Sequence, residues 1–197
     1  MDVAGDLVFL GGASRGLEIV DVSDPTNPVM VSSTSLSGLG ITLELVDDVC
    51  YITDHDSSYT SIEAYDVSNP VSPQYLGGYL VYNVDFFNLH ISDNVLYASD
   101  HGSSGDVFIL DIENPSAIEK LAQFDTGGTA YGTYVQDSIA YFTDYDKGLL
   151  LVDISDLNNP VLIESHDDGG AGQGVFVVGE FIYFANRNDG LEILRYS

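Results

Sequence analysis

Basic residues are nearly missing from this sequence. Its 197 residues contain five Lys and Arg against 31 Asp and Glu, and the formal net charge is −26. Most of such a surface repels nucleic acid and anionic membranes, so both are disfavoured as partners, and we expect no binding of nucleic acid. The acidity suits a salt-rich surrounding that screens self-repulsion, the binding of divalent cations, or solubility alone. The sequence leaves these three explanations open.

Long apolar runs and a cysteine framework are also missing. The sequence contains no stretch of about 18 apolar residues, the length that is needed to span a bilayer. The start, Met1–Asp6, lacks the basic and apolar regions of a signal peptide, so we expect any targeting segment to lie outside this chain. The single cysteine, Cys50, lies in the apolar run Val49–Ile52, which predicts a small core residue and no disulfide.

The sequence lacks the usual catalytic signatures. It has no Gly-x-Ser-x-Gly elbow, no phosphate-binding glycine loop and no cluster of Cys and His. We therefore predict a protein that is not an enzyme and that has no cofactor, with Ca²⁺ as the one exception left open. The remaining enzyme hypothesis would use Asp54, His55, Asp100 and His101.

An internal repeat is the main feature that the sequence does have. The segment Leu17–Pro28 reads LEIVDVSDPTNP, and related segments follow at 62–70, 107–115, 149–160 and 191–196. The equivalent position falls at residues 21, 66, 111, 153 and 195, so the period is 42 to 45 residues. Self-similarity at this period predicts a repeat architecture.

Each period divides into four short strands, which we call A, B, C and D. In the second repeat they cover residues 41–46, 49–53, 61–67 and 74–79. Short A–B turns such as Val46-Asp47-Asp48-Val49 are typical of antiparallel hairpins. Strand B carries an aromatic residue among apolar neighbours in every repeat, which indicates sheets covered on both faces. These aromatic residues are Phe9, Tyr51, Tyr97, Tyr141 and Tyr183.

These features predict an all-β fold. We expect a β-propeller-like array of about five blades, each a four-stranded antiparallel sheet, with a period of 42–45 residues. The array would be a single repeat domain over residues 1–197, with repeats at approximately 1–40, 41–85, 86–130, 131–173 and 174–197. The first repeat would lack most of strand A and the last would lack strand D.

Strand C and the turn after it resemble the LVIVD repeat. Leu17–Asp21 matches four of the five consensus letters, and the continuations at 21–28 and 153–160 match well, whereas the copy at 111–115 departs more. The resemblance covers nearly the whole chain. It implies a propeller-like surface or secreted protein of microbes, with no defined activity and no catalytic residues to carry over.

Proline ends strand C because it has no N–H to continue a sheet. An aspartate closes strand C in four repeats, and we expect it to accept turn hydrogen bonds. A catalytic site is asymmetric, whereas this residue recurs, so its recurrence favours a structural role. The prolines are Pro25, Pro70 and Pro115, and the aspartates are Asp21, Asp66, Asp111 and Asp153.

The B–C connections are the most polar and variable segments. They cover residues 11–16, 54–58, 100–106, 144–148 and 186–190. Two Asp-x-Asp pairs could bind Ca²⁺ through oxygen, namely Asp54 with Asp56 and Asp144 with Asp146. A wider candidate ligand face contains His55, Asp100, His101, Asp106 and Tyr145. Plain turn chemistry also explains the Asp, Asn and Gly in these segments.

One histidine lies outside these connections. His90 falls in strand A, the innermost strand of a propeller blade, where it would line the central channel. A channel histidine is either hydrogen-bonded filler or a base, and the sequence favours the first.

The leading functional hypothesis is a non-catalytic, extracellular or cell-surface structural and interaction module. Its partners would be proteins, copies of itself first among them, with no direct membrane insertion. The alternative is a ligand-binding propeller that takes calcium or carbohydrate on the face of the B–C connections.

The two ends of the chain give an expectation about assembly. Open edges would be formed by Leu7, Val8, Phe9 and Leu10 at the start and by Leu191, Ile193, Leu194 and Tyr196 at the end. Unpaired edges recruit strands. Either the chain is a fragment of a longer array, or it assembles head to tail with neighbouring copies.

Overall fold

The structure of this protein is a computed structural model that describes residues 1–12, 14–102, 105–167 and 169–196. All the strands within these residues belong to five antiparallel β-sheets. Four of the sheets have four strands and the fifth has three. These residues contain no helix, and therefore none that could cross a membrane. The predicted all-β class with four-stranded antiparallel sheets is confirmed. Ala13, Ser103 and Ser104 of the predicted B–C connections lie outside the described residues.

The strands follow one another along the chain, and each sheet keeps its strands in chain order. The first sheet contains β1 (Asp2–Ala4), β2 (Leu7–Gly11), β3 (Leu17–Asp21) and β4 (Val29–Thr34). The second contains β5 (Leu39–Val46), β6 (Val49–His55), β7 (Thr60–Asp66) and β8 (Gln74–Val81). The third contains β9 (Phe86–Ser92), β10 (Val95–Asp100), β11 (Asp106–Asp111) and β12 (Glu119–Asp125). The fourth contains β13 (Ala130–Gln136), β14 (Ile139–Asp144), β15 (Gly148–Asp153) and β16 (Val161–His166). The fifth contains β17 (Gly172–Val178), β18 (Phe181–Asn186) and β19 (Gly190–Arg195).

The A–B hairpins share one backbone device. The first turn residue has a positive φ in every sheet, and this residue is Asp or Gly because both tolerate the left-handed region. A tight turn with this conformation matches the twist of the two strands that it joins. The residues are Gly5, Asp47, Asp93, Asp137 and Gly179, with φ between 51° and 59°.

Contacts divide the chain into two compact units. The first runs from Met1 to Asp85 and includes Ile112–Glu119; the second runs from Phe86 to Asp111 and continues from Lys120. The expectation of a single domain stays a prediction.

The first unit has a core between its two sheets. Phe9 and Ile19 of the first sheet pack against Leu43, Cys50 and Ile52 of the second. All five side chains are buried, because alternate residues of each strand point to the same face.

The second unit has two such cores. Ile109 of the third sheet packs with Phe142 of the fourth. On the other face of the fourth sheet, Leu149 packs with Ile182 and Phe184 of the fifth. The fourth sheet is therefore covered on both faces, as the near-continuous apolar run of β15 predicts.

The strand-B aromatics follow the same rule. Phe9, Tyr51, Tyr97 and Tyr141 are each about 2% exposed, which confirms their prediction as core residues, whereas Tyr183 of the fifth sheet is half-buried.

The first strand corrects one expectation. Leu7, Val8 and Phe9 do not form an open edge, because β1 pairs with them on one side and β3 pairs with them on the other. The three residues Asp2–Ala4 pair in register with Phe9, Val8 and Leu7.

Candidate functional site

Aspartates close strand B in three repeats, and their side chains turn inward. Asp54, Asp100 and Asp144 are completely buried at or next to the ends of β6, β10 and β14. Asp54 accepts the N–H groups of Ser37 at 3.1 Å and Gly38 at 2.7 Å. The structure therefore corrects their predicted position, because they are buried acceptors at strand ends and not exposed loop residues.

Aspartates of the second unit also accept backbone N–H groups. Asp100 accepts the N–H of Gly102 at 2.7 Å. Asp144 accepts the N–H groups of Asp146 at 2.7 Å and Lys147 at 2.9 Å, and it also bonds the Thr126 hydroxyl.

The fifth sheet carries an amide at this position. Asn186 Oδ1 accepts the N–H groups of Ala171 at 3.1 Å and Asn188 at 3.2 Å. An oxygen acceptor is therefore what the position requires.

The calcium hypothesis gains no geometric support from these residues. In the second repeat Asp56 accepts the N–H of Ser58 at 3.1 Å, so it also acts as a turn acceptor. Among the described residues, no group of three or more His, Cys, Asp and Glu could hold a metal ion. Calcium binding by Asp54, Asp56, Asp144 and Asp146 stays a prediction.

His55 lies in the first unit and is paired. Its Nδ1 is 2.8 Å from Asp85 Oδ1, and the His55 side chain is mostly buried whereas that of Asp85 is half exposed. The arrangement orients the imidazole beside a carboxylate.

Four rings of the second unit form a continuous surface cluster, which we call the aromatic platform: Phe87, His101, Tyr131 and Tyr145. The ring centroids of Phe87 and His101 are 5.1 Å apart, those of His101 and Tyr131 are 4.7 Å apart, and those of Tyr131 and Tyr145 are 5.9 Å apart. These spacings are typical of tilted and edge-to-face aromatic pairs.

Polar atoms hold the platform in place. His101 Nε2 and the Tyr131 hydroxyl share a hydrogen bond of 2.6 Å. Arg187 Nη1 donates to the Tyr145 hydroxyl at 3.2 Å. The Tyr145 backbone N–H donates to Thr129 O at 2.9 Å, which fixes the start of this connection.

Two of the predicted ligand-face residues therefore come together, and three do not join them. His101 and Tyr145 belong to the platform. Asp100 is buried, Asp106 is buried and accepts Gln123 Nε2 at 2.6 Å, and His55 lies in the first unit.

Sequence reasoning missed Phe87, Tyr131 and Arg187. A signal for two of them was present, because Phe87 and Tyr131 lie at the same position of strand A, three residues before His90 and Tyr134. Arg187 carried no comparable signal, since its role depends on the neighbouring Tyr145.

His90 is a hydrogen-bonded strand residue. Its Nε2 accepts the N–H of Val135 at 3.2 Å, and its ring stacks on Tyr134 with centroids 5.3 Å apart. Burial lowers the pKa of His90, so the ring is neutral near pH 7. These contacts give His90 a packing role.

The last strand borders a small cavity within the second unit. The cavity has a volume of about 180 Å³ and is lined by Leu149, Leu151, Glu164, His166, Ile182, Leu194, Arg195 and Tyr196. Leu194 and Tyr196 therefore point toward the fourth sheet, whereas Leu191 and Ile193 are exposed.

The repeat itself has a match among known families. The model of the LVIVD repeat matches residues 1–35, 127–168 and 169–194, which together make up more than half of the chain. The chain belongs to the LVIVD-repeat family. No curated protein sequence matches it.

Solved structures are similar to this LVIVD-repeat protein in fold. The computationally designed Ika8 protein is 12% identical, with a TM-score of 0.78 over 99% of this chain and 57% of its own. BamB from Moraxella catarrhalis is 14% identical, with a TM-score of 0.72 over 100% of this chain and 56% of its own. A functionally unknown protein from Desulfotomaculum acetoxidans DSM 771 is 10% identical, with a TM-score of 0.80 over 100% of this chain and 64% of its own.

These likenesses concern the fold alone. They confirm a propeller-like array of antiparallel sheets. The LVIVD-repeat chain spans less than two thirds of the length of each of the three proteins.

The aromatic platform of this LVIVD-repeat protein is only partly covered by the family model. Tyr131, Tyr145 and Arg187 lie within the matched segments, whereas Phe87 and His101 lie between them, in residues 36–126. The platform thus combines family repeats with a segment that departs from the consensus.

Proposed function

We propose that this repeat protein is a non-catalytic, extracellular interaction module that contacts other proteins, copies of itself first among them. The observation that carries the proposal is an exposed apolar surface on one side of the fifth sheet. We call this surface the apolar face; it consists of Phe176, Val178, Phe181, Leu191 and Ile193.

The register of the fifth sheet places these side chains together. Phe176 lies opposite Tyr183, and Tyr183 lies opposite Ile193. Phe176 is 54% exposed, Ile193 is 60% exposed and Leu191 is 66% exposed. Contiguous apolar surface of this kind on a soluble protein marks an interaction site.

The other side of the same sheet supports this interpretation. Val177, Ile182 and Leu194 are aligned across β17, β18 and β19, and they pack against the fourth sheet with Leu149 and Leu151. The fourth and fifth sheets thus already pack against each other through apolar faces. A further sheet of the same kind fits the apolar face.

A second copy of the chain can supply such a sheet. In the first unit Val3, Val8, Val20 and Met30 are aligned across β1 to β4 on the side away from the core, and Val3 and Met30 are exposed. Because the two faces differ, a contact between them is head-to-tail and extends to further copies unless its rotation closes.

The structural role of the carboxylates supports a protein without catalytic activity. The recurring aspartates accept backbone N–H groups in repeat after repeat, as in Asp54 and Asp144. The extracellular location is supported by the net charge of −26, which suits a salt-rich medium.

The alternative function is a ligand-binding propeller. The aromatic platform favours its carbohydrate form, because rings with hydroxyl groups at their edges are typical of binding surfaces. The calcium form is tested by adding a chelator, which would lower the melting temperature if the four predicted aspartates hold the ion.

Sedimentation velocity over a wide concentration range tests the leading proposal. We expect the mass to rise with concentration in the unmodified protein and to stay at one chain in Leu191→Asp, which puts a charge into the apolar face. The control is Leu162→Asp, because Leu162 is also an exposed strand leucine but lies in β16. A single-chain mass at all concentrations, or equal assembly by both variants, would contradict the proposal.

A further inference from the structure

We propose that the aromatic platform is a binding surface for a neutral saccharide. This inference deepens the ligand-binding alternative and is independent of the apolar face. It rests on the exposure of Phe87, the hydrogen-bonding atoms of the platform and the net charge of the chain.

Exposure separates Phe87 from the core aromatics, whereas His101, Tyr131 and Tyr145 are half-buried. Phe87 is 46% exposed, whereas the strand-B aromatics such as Tyr97 and Tyr141 are each about 2% exposed. A ring whose only role is packing gains most when it is buried. Phe87 instead leaves its apolar surface open beside His101 and Tyr131, with centroids 5.1 Å and 5.9 Å away.

The faces of these rings suit the C–H surfaces of a sugar. Aromatic rings carry partial negative charge on their faces, which attracts weakly positive C–H groups. Phe87 and His101 are inclined by only 33°, and so are Tyr131 and Tyr145 by 32°, whereas His101 and Tyr131 meet edge to face, so the platform offers two differently oriented ring pairs.

Polar atoms around the rings supply the second half of saccharide recognition. The Tyr131 and Tyr145 hydroxyls, the His101 imidazole and the Arg187 guanidinium all lie at the platform. Their existing bonds restrict the rotamers of Tyr131 and Tyr145, so less conformational entropy is lost when a ligand binds. A few fixed polar groups among apolar rings are typical of a small-molecule site.

The net charge of the whole chain favours a neutral ligand. Arg187 is exposed and donates to the Tyr145 hydroxyl, and Lys147, two residues after Tyr145 in the chain, is also exposed. These are two of only five basic residues in a chain of net charge −26. Long anionic polymers are repelled by the remaining surface, whereas an uncharged ligand is not.

Affinity electrophoresis tests this assignment with defined probes. The full chain is run in native gels that contain a soluble β-glucan, a galactomannan or alginate, of which only alginate is anionic. We expect one or both neutral polymers to slow the protein. Phe87→Ala and Tyr145→Ala should each weaken this binding by about tenfold or more, because each removes a stacking ring.

Two controls keep the result specific. Phe176→Ala removes a phenylalanine of similar exposure, 54% against 46%, from the apolar face, and it should bind as the unmodified protein does. Leu191→Asp should also bind normally, because saccharide binding and self-association use different surfaces. Circular dichroism and the melting temperature of each variant report whether it is folded.

Three outcomes would overturn the proposal. The first is that no polymer slows the protein. The second is that a neutral polymer slows it but the platform variants, when folded, bind equally well. The third is that alginate alone slows it, which would assign the surface to anionic ligands.

Discussion

The buried strand-end aspartate is an example of one residue with one task in several repeats. Asp54, Asp100 and Asp144 each accept backbone N–H groups, and Asn186 does the same with an amide oxygen. Since Asn suffices in the fifth sheet, the acceptor matters more than the charge.

This comparison predicts the effects of two substitutions at Asp144. Asp144→Ala leaves the N–H groups of Asp146 and Lys147 without their acceptor and should lower the free energy of unfolding by about 2–3 kcal/mol. Asp144→Asn keeps an oxygen there and should cost clearly less. Urea unfolding measures both, and equal losses would show that the negative charge is required.

The strand-C aspartates predict a dependence of stability on acid. The hydroxyl of Ser68, and then its backbone N–H at 2.9 Å, lower the pKa of Asp66 below its ordinary value. A lowered folded-state pKa contributes stability above the unfolded-state pKa, and this stability is lost as the pH falls through the folded value.

We therefore expect the melting temperature to fall as the pH decreases below about 5, where unfolded-state aspartate begins to protonate. Asp66→Asn should make this acid limb shallower, because residue 66 then no longer titrates. Asp21 and Asp153 are bonded by Ser23 and Ser155 in the same way, so each single variant removes only part of the effect. An unchanged limb in Asp66→Asn would contradict the assignment.

At the scale of strands and turns, most of the architecture is predictable from the sequence. The A–B hairpins are encoded locally by Asp or Gly at a positive-φ position, as at Asp93 and Gly179. Strand C is encoded by its apolar run and the turn that ends it. For this reason the repeats at 41–85 and 86–130 are recognisable although they lie largely outside the segments that match the family model.

The parts that escaped prediction depend on contacts between distant residues. The platform requires Phe87, Tyr131 and Tyr145 to meet, and their spacing along the chain does not state which way each ring turns. Asp54 looks like a loop residue in the sequence, but its burial results from the N–H groups of Ser37 and Gly38, which come from the preceding connection. The pairing of β1 escaped because three residues give too short a pattern.

Two glycines at the start of strand C give a matched test of what strand D does. Gly148 has φ of 74°, and a Cβ there would lie 2.3 Å from His166 O at the end of β16. Gly190 has φ of 87° at the equivalent position, and a Cβ there would meet nothing within 4 Å. The difference follows from β16, which lies beside β15.

Gly190→Ala should therefore lower the free energy of unfolding only by the cost of placing an alanine in the left-handed conformation, about 1–2 kcal/mol. Gly148→Ala should lose clearly more, because its Cβ meets a backbone carbonyl that cannot move without breaking the β15–β16 pairing. Denaturant unfolding of the two variants gives the comparison. Equal losses would show that the neighbouring strand yields without cost.

At the scale of the whole molecule, the net charge determines how the stability of the protein depends on salt. With 31 acidic and five basic residues, repulsion between like charges opposes the folded state. We expect the melting temperature to rise by about 5 °C or more between about 0.02 M and about 1 M NaCl, since the Debye length shortens from tens of Å to a few Å. KCl should act equally, and a flat response would mean that the acidic residues lie too far apart to interact.

The labelling rate of the single cysteine, which lies in the core of the first unit, reports how often that part of the protein opens. Burial, with a smaller contribution from the charge of Asp2, raises the pKa of the Cys50 thiol to about 12. Because only the thiolate reacts with an alkylating reagent, labelling must wait for a fluctuation that exposes the second strand of the second sheet. The labelling rate thus yields the free energy of opening at one known place without any added probe. A value equal to that of global unfolding would mean that Cys50 is exposed only when the whole chain unfolds, whereas a smaller value would mean that the strands around Cys50 open without global unfolding.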